Sequence, residues 1–385
     1  MSCYNKQIAT SLFLVAVFGS LFSQTPTILD AGFDTYFKFL WVFPFGFLML
    51  TSPTGLLSNK LVPFYLFLLL FLYYCFTCQM LTNRQYFTND LYNIAICLLI
   101  TITSYIFWSR HKNPQTIQNL CIIMLICGSI MAIDLYINYL RNSDITSATY
   151  AYGDKNSIGQ ILLCCSCFAL FYYKPHSKTE KMLSLSVSII LLIVMIMTRS
   201  RATLVSALYI GYYISFKKVK TKYKLYTLSL LGVIMIILLS NESLYDSIVK
   251  GILFGGRDAT DINSLSSNRI ILFSIALKLI PQHPWIGSGA YYVDCMPLNV
   301  LTQYGIIGLI VVLLFLLYIY ISLRKHQHNR KISLVTYVFF MSFIINSLFE
   351  AYPPFGPGVK CFTLWMLYGM FLAELESIPT IKKTI

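Results

Sequence analysis

Apolar residues run through this chain in long, nearly unbroken stretches, with polar residues confined to short intervals between them. Five such stretches open the chain, at 8–24, 36–52, 62–80, 91–108 and 119–140. Others follow at 157–173, 183–197, 202–215, 224–240, 298–323, 332–348 and 359–374. A helix of roughly 20 apolar residues, rising 1.5 Å per residue, covers the hydrocarbon thickness of a bilayer. The pattern predicts an all-α, polytopic membrane protein with about 12 transmembrane helices, one integral membrane domain over residues 1–385. The first run follows a single lysine and carries no small-residue cleavage site, so it reads as a retained span rather than a signal peptide.

The pattern gives way once. After a "TRSRAT" turn at 198–203 and two further runs comes a polar excursion at 241–297. Loops this long are usually functional or disordered, and this one is not of low complexity. Ser266 or Ser267 reads as a helix N-cap and Pro281 as its stop. The intervening residues 268–280 make a helix of roughly 20 Å, too short to span. Arg269, Phe273, Ala276 and Ile280 share one face, which fits a short interfacial helix inside a loop on the outer face.

Composition agrees with the spans. The chain is 57% hydrophobic and 11% charged, whereas a soluble domain carries roughly 25% charged residues. With both termini placed in the cytoplasm, the inside segments collect most of the 29 lysines and arginines, and of the 15 acidic residues only Glu180, Glu374 and Glu376. That bias is the positive-inside rule. The net charge of +14 is therefore a topology signal, and no nucleic-acid partner is expected. "KKVKTKYK" and "RKHQHNRK" read as turns lying against anionic membrane lipid. Most of the 11 cysteines lie inside apolar runs, where a thiol behaves as a small apolar side chain. No metal site and no cofactor is expected.

The candidate chemistry gathers in the outside loops. Arg199 and Arg201 occupy a tight turn on the side poor in positive charge, where an arginine needs a reason. A guanidinium is permanently charged and its planar fork matches phosphate oxygens. With Arg269 at headgroup level, these arginines suggest a site for a lipid-linked phosphate or diphosphate. Arg269 also reads as a side chain snorkelling to the interface. Asp294, just before Pro297 and the next span, is either a proton acceptor or an ordinary helix cap. Lys155 and Asn156 in "YAYGDKNSIGQ" bind a headgroup or sugar, or start a helix capped by Asp154 or Asn156. Glu350 and Tyr352 face the same side, as does His283, set between two prolines.

Together these motifs resemble the O-antigen polymerase and ligase superfamily, integral membrane glycosyltransferases using undecaprenyl-diphosphate-linked glycans. The resemblance rests on "RSRATLVSA" at 199–207, "NRIILFSIALKLIPQHPWIGSGA" at 268–290, "YGIIGLIVVL" at 304–313 and the "GDKNSIGQ" segment. It implies that Arg201 and Arg269 hold the donor diphosphate, with Arg199, Lys155, Asn156, His283 and Glu350 near diphosphate or glycan. In ligases a His-containing pair precedes nine residues, Gly, two residues and a small residue. Here the spacing survives around Asp294, Cys295, Gly305 and Gly308, but the histidine does not. The departure points to the polymerase, with Asp294 as base and a membrane-embedded chain-length regulator as the implied partner. The ligase reaction, transfer to lipid A-core, is the nearest rival. A polysaccharide transporter or flippase is the rival from another class.

Overall fold

A computed structural model describes residues 3–82, 87–141, 155–218, 268–289, 291–328, 330–351 and 361–376, with isolated positions 240, 246, 266 and 355. The span expected at 224–240 and the first part of the long loop lie outside these residues, apart from Ser240 and Asp246. Among the described residues every regular element is helical. In chain order they are α1 (Cys3–Phe22), α2 (Pro26–Asp30), α3 (Asp34–Lys38), α4 (Val42–Thr51), α5 (Val62–Thr82), α6 (Phe87–His111) and α7 (Pro114–Leu135). Then come α8 (Lys155–Tyr172), α9 (Lys178–Met197), α10 (Arg201–Lys218), α11 (Arg269–Leu279), α12 (Met296–His326), α13 (Lys331–Ser347) and α14 (Phe362–Glu376). Short 3₁₀ segments join some of them, and one π turn, Tyr136–Leu140, prolongs α7.

Among the described residues six segments are long and apolar enough to cross a membrane, lying within α1, α5, α6, α7 with its π turn, α9 and α12. The stretch expected to span at 36–52 is instead split into α3, a 3₁₀ turn and α4. Pro44 in the first turn of α4 lacks the N–H that would carry one helix straight through. The outward faces are apolar: Leu69, Met182, Leu208 and Leu314 are exposed. Polar groups are turned inward and paired across helices. Asn346 Nδ2 donates to Gln160 Oε1 at 3.3 Å, and Ser206 Oγ to the Ser342 carbonyl at 3.1 Å. Hydrocarbon outside and hydrogen bonds inside is the order a lipid solvent imposes. The protein is a multi-pass membrane protein.

Two helices form the core. α14 is buried from Phe362 to Glu374, and α8 is buried on nearly every side. α14 lies along α6, and α8 lies between α7 and α9. Gly369 permits the first contact, since a Cβ there would stand 2.3 Å from the Thr101 carbonyl oxygen.

α12 is broken near its start. Gly305 has φ 68° and ψ −171°, a backbone open to glycine and costly for other residues. The turn after α11 fills the break. Ile306 N–H donates to the Pro284 carbonyl at 2.8 Å and Ser288 N–H to the Thr302 carbonyl at 2.8 Å. The Tyr74 hydroxyl lies 2.6 Å from the Tyr304 carbonyl oxygen and 3.1 Å from that of Trp285. Backbone groups released by the break thus find partners, as they must away from water. The same bonds fix the C-terminal end of α11 to α12.

Candidate functional site

Three residues, Thr198 to Ser200, join α9 to α10. A reversal this short needs one residue with left-handed backbone, and Arg199 takes it with φ 56°. Its side chain is folded in rather than offered to the surface: the residue is 4% exposed. Ser200 follows at the N-cap of α10. Its hydroxyl lies 3.4 Å from the Thr203 amide nitrogen and 2.8 Å from the Thr203 hydroxyl. A hydroxyl has a single proton to give, and Ser200 directs it to Asn156 Oδ1 at 2.7 Å.

Asn156 lies in the first turn of α8, which packs close against this turn. A Cβ on Gly159 would stand 3.1 Å from Thr198 Oγ1 and 3.2 Å from Thr203 Oγ1. Since the Asn156 oxygen accepts from Ser200, its Nδ2 is the atom that donates to Glu350 Oε1. Asn156 is therefore not the helix cap that its position allowed. Its two amide atoms tie the α9–α10 turn to the segment following α13. The alternative cap, Asp154, lies outside the described residues, as does Tyr352.

Glu350 continues the chain of contacts to Arg269, whose Nη2 lies 3.5 Å from the same Oε1. On the other side Arg269 Nε lies 3.6 Å from Asp294 Oδ2. Charge-assisted hydrogen bonds are roughly 2.7–2.9 Å long, so both are ion pairs just short of that contact. They orient the guanidinium without occupying all five of its N–H groups. The three side chains are 18% (Arg269), 11% (Glu350) and 32% (Asp294) exposed. The charges are partly withdrawn from water, yet the carboxylate of Asp294 is accessible.

Arg269 begins α11, and Asn268 before it has φ 62°. The N-cap position belongs to this left-handed Asn268 rather than to Ser266, whose Oγ makes a long contact 3.5 Å from the Ile270 nitrogen; Ser267 lies outside the described residues. On the face that these four residues share, Ala276 is buried and Arg269, Phe273 and Ile280 are half-buried; Ile270, Ile271, Ile275 and Leu277 are exposed. Asp294 does not cap α12. The N-cap position belongs to Cys295, which makes no side-chain cap bond. Asn299 holds the segment between them by accepting from the Val293 N–H at 3.1 Å.

Asn156, Glu350, Arg269 and Asp294 are thus brought together, with Ser200 joined to them. Arg201 is half-buried at the first position of α10, and Lys155 is half-buried beside Asn156. His283 is exposed in the turn after α11 and takes no part in the chain of contacts. Ser200 and Thr203 were not singled out by sequence. Their signal is a Ser at an N-cap between two unexpected arginines. The two non-glycine residues with left-handed backbone among those described, Arg199 and Asn268, each lie in or next to a candidate arginine. Such conformations cost about 1–3 kcal/mol and cluster at functional sites.

The family model described as O-antigen ligase matches residues 186–304. The match covers 119 of the 385 residues and supports the superfamily that the sequence motifs resemble, the O-antigen polymerases and ligases. The matched stretch contains Arg199, Ser200, Arg201, Arg269 and Asp294, and it ends one residue before the break in α12. Asn156 and Glu350, which the superfamily match does not include, reach that stretch through the fold. No curated protein matches the chain.

Proposed function

We propose that this chain is an O-antigen polymerase, joining undecaprenyl-diphosphate-linked repeat units into polysaccharide at the periplasmic face of the bacterial inner membrane. The observation that carries the reading is the Arg269 guanidinium held between Glu350 and Asp294, next to the stretch containing Arg201. In this reading Arg269 and Arg201 hold the diphosphate of the donor chain, with Arg199 and Lys155 adding positive charge around it. The acceptor hydroxyl attacks the anomeric carbon of the donor. The bond from that carbon to the diphosphate breaks, and the diphosphate leaves with the electron pair, its growing charge met by the guanidinium groups. The hydroxyl proton passes to Asp294, the most exposed carboxylate of the group. Glu350 and Asn156 orient Arg269 and contact the glycan.

Orientation follows from where charges lie. The arginine–carboxylate group occupies one end of the helix bundle, and the opposite end carries Lys112, Lys174, Arg330 and Lys331. Lys112 and Arg330 meet Glu374 there at 2.8 and 3.5 Å. The positive-inside tendency assigns the basic end, with both termini, to the cytoplasm. About 12 spans fit this arrangement: α8, α10, α13 and α14 join the six longer segments, the split stretch at 36–52 adds another, and the last falls at 224–240, outside the described residues apart from Ser240. The ligase shares the superfamily, so the choice rests on the residue at 294, where a ligase histidine is replaced by Asp294. Lipopolysaccharide from a deletion strain tests it: one repeat unit on the lipid core is expected. A core with no repeat unit would mean that the chain is a ligase.

A further inference from the structure

At the end of the bundle opposite Arg269, the structure contains a cavity of about 550 Å³ that the glycan chemistry does not use. It opens between the end of α6, the start of α7, the end of α8 and the start of α13. Its rim carries Lys112, Lys174, Arg330 and Lys331, and the single carboxylate in its lining is Glu374. Glu374 is 7% exposed at its side chain and is held by Lys112 at 2.8 Å and by Arg330 at 3.5 Å. It offsets part of the charge and leaves the rim strongly cationic. Lys331 Nζ stands 5.2 Å from the centre of the Tyr172 ring, over the inner wall. That wall is apolar and buried: Trp108 is 2%, Tyr172 5% and Ile332 5% exposed.

Two helices begin at the rim. α7 starts at Pro114, and α13 starts at Lys331 behind Arg330, which provides no side-chain cap. The positive ends of their dipoles add to the field of the cations. Rim and wall differ in chemistry, and that difference selects the ligand. A free anion would satisfy the cations but leave the aromatic wall in water. A lipid with a phosphate headgroup satisfies both, since its phosphate reaches the rim and the first carbons of its tails cover the wall.

We infer that this cavity is a binding site for the phosphate headgroup of an acidic membrane phospholipid, held by Lys112, Lys174, Arg330 and Lys331 over Trp108 and Tyr172. Cationic pockets of this kind between membrane helices suit anionic headgroups. The site is separate from the glycan site: α8 runs between them with a length of roughly 25 Å.

The test uses full-length protein purified in a mild detergent, with bound phospholipid identified by native mass spectrometry and thermal stability followed as lipid is added. The probes are phosphatidylglycerol, cardiolipin, phosphatidylcholine and inorganic phosphate. The wild type is expected to retain and be stabilised by the two acidic lipids, and not by the neutral lipid or phosphate. Lys174→Gln with Lys331→Gln removes two exposed cations and leaves the Glu374 pairs intact. Each cation is worth roughly five-fold in affinity near an acidic headgroup, so the pair should weaken binding about 30-fold. Lys174→Arg with Lys331→Arg keeps the charges and should bind as the wild type does, and Lys174→Gln alone serves if the double variant fails to fold. Equal binding by the wild type and the Gln variants overturns the assignment. So does stabilisation by inorganic phosphate equal to that by lipid, which would make the cavity a free-anion site.

Discussion

Replacing Asn156 with leucine separates the role of the contact chain from that of the arginine itself. Leucine is close to asparagine in size but cannot donate to Glu350 Oε1 or accept from Ser200 Oγ. The first bond involves a charged carboxylate and is worth about 1.5–3 kcal/mol, the second about 1 kcal/mol. Ser200 can turn its proton to Thr203 Oγ1 at 2.8 Å, which recovers part of the second. Glu350 keeps Arg269 at 3.5 Å but loses the donor that shares its Oε1, so the guanidinium is less well placed. With about 1.4 kcal/mol per tenfold in rate, the loss converts to roughly ten- to hundredfold in polymerisation, at normal protein abundance. The assay is the rate of chain extension in membranes matched for protein by immunoblot. Glu350→Gln, and Glu350→Gln combined with Asn156→Leu, complete a double-mutant cycle. If Asn156 works through Glu350, the double variant is no slower than the slower single variant. Activity of Asn156→Leu within twofold of wild type, or losses that simply add in the double variant, would refute the reasoning.

Three further substitutions test other parts of the account. Gly305→Ala forces φ 68° on a residue with a Cβ that would stand 2.3 Å from the Trp285 carbonyl, so membrane levels of the protein should fall severalfold. Gly211→Ala, with nothing within 4 Å of the added Cβ, should leave levels unchanged or slightly raised. Asp294→Asn keeps the shape and removes both the proton acceptor and one charge beside Arg269. Extension should drop at least a hundredfold, the order expected when a general base is lost, and full activity would leave Asp294 as a partner of Arg269 only.

Membrane class and helical architecture were legible because lipid imposes a simple pattern: long apolar runs, few charges, cations on one side. The broken spans were less so. Hydropathy over 36–52 does not distinguish one helix from two, and only Pro44 hinted at the division. Gly305 stood out as part of the ligase-like spacing, whereas its φ of 68° opens α12 to receive the Pro284–Ser288 turn. Arg269 and Asp294 were visible as candidates, each with an ordinary alternative. Their contact at 3.6 Å was not, because 25 positions separate them and Asp294 suited a helix cap equally well. Asn156 and Glu350 lie 194 positions apart. The hydrogen bond from Asn346 of α13 to Gln160 of α8 joins the same two parts of the chain, and no local pattern encodes that.

The central claim is that this chain extends lipid-linked glycans and that Arg269 is essential to it. Purified protein in proteoliposomes, given the lipid-linked repeat unit and no lipid A-core, tests it most directly. Wild type should convert single repeats into a ladder of longer lipid-linked chains, and Arg269→Ala should leave only single repeats while folding and reconstituting normally. A ladder from Arg269→Ala equal to that of wild type would contradict the claim, as would a wild type that transfers glycan only once lipid A-core is added.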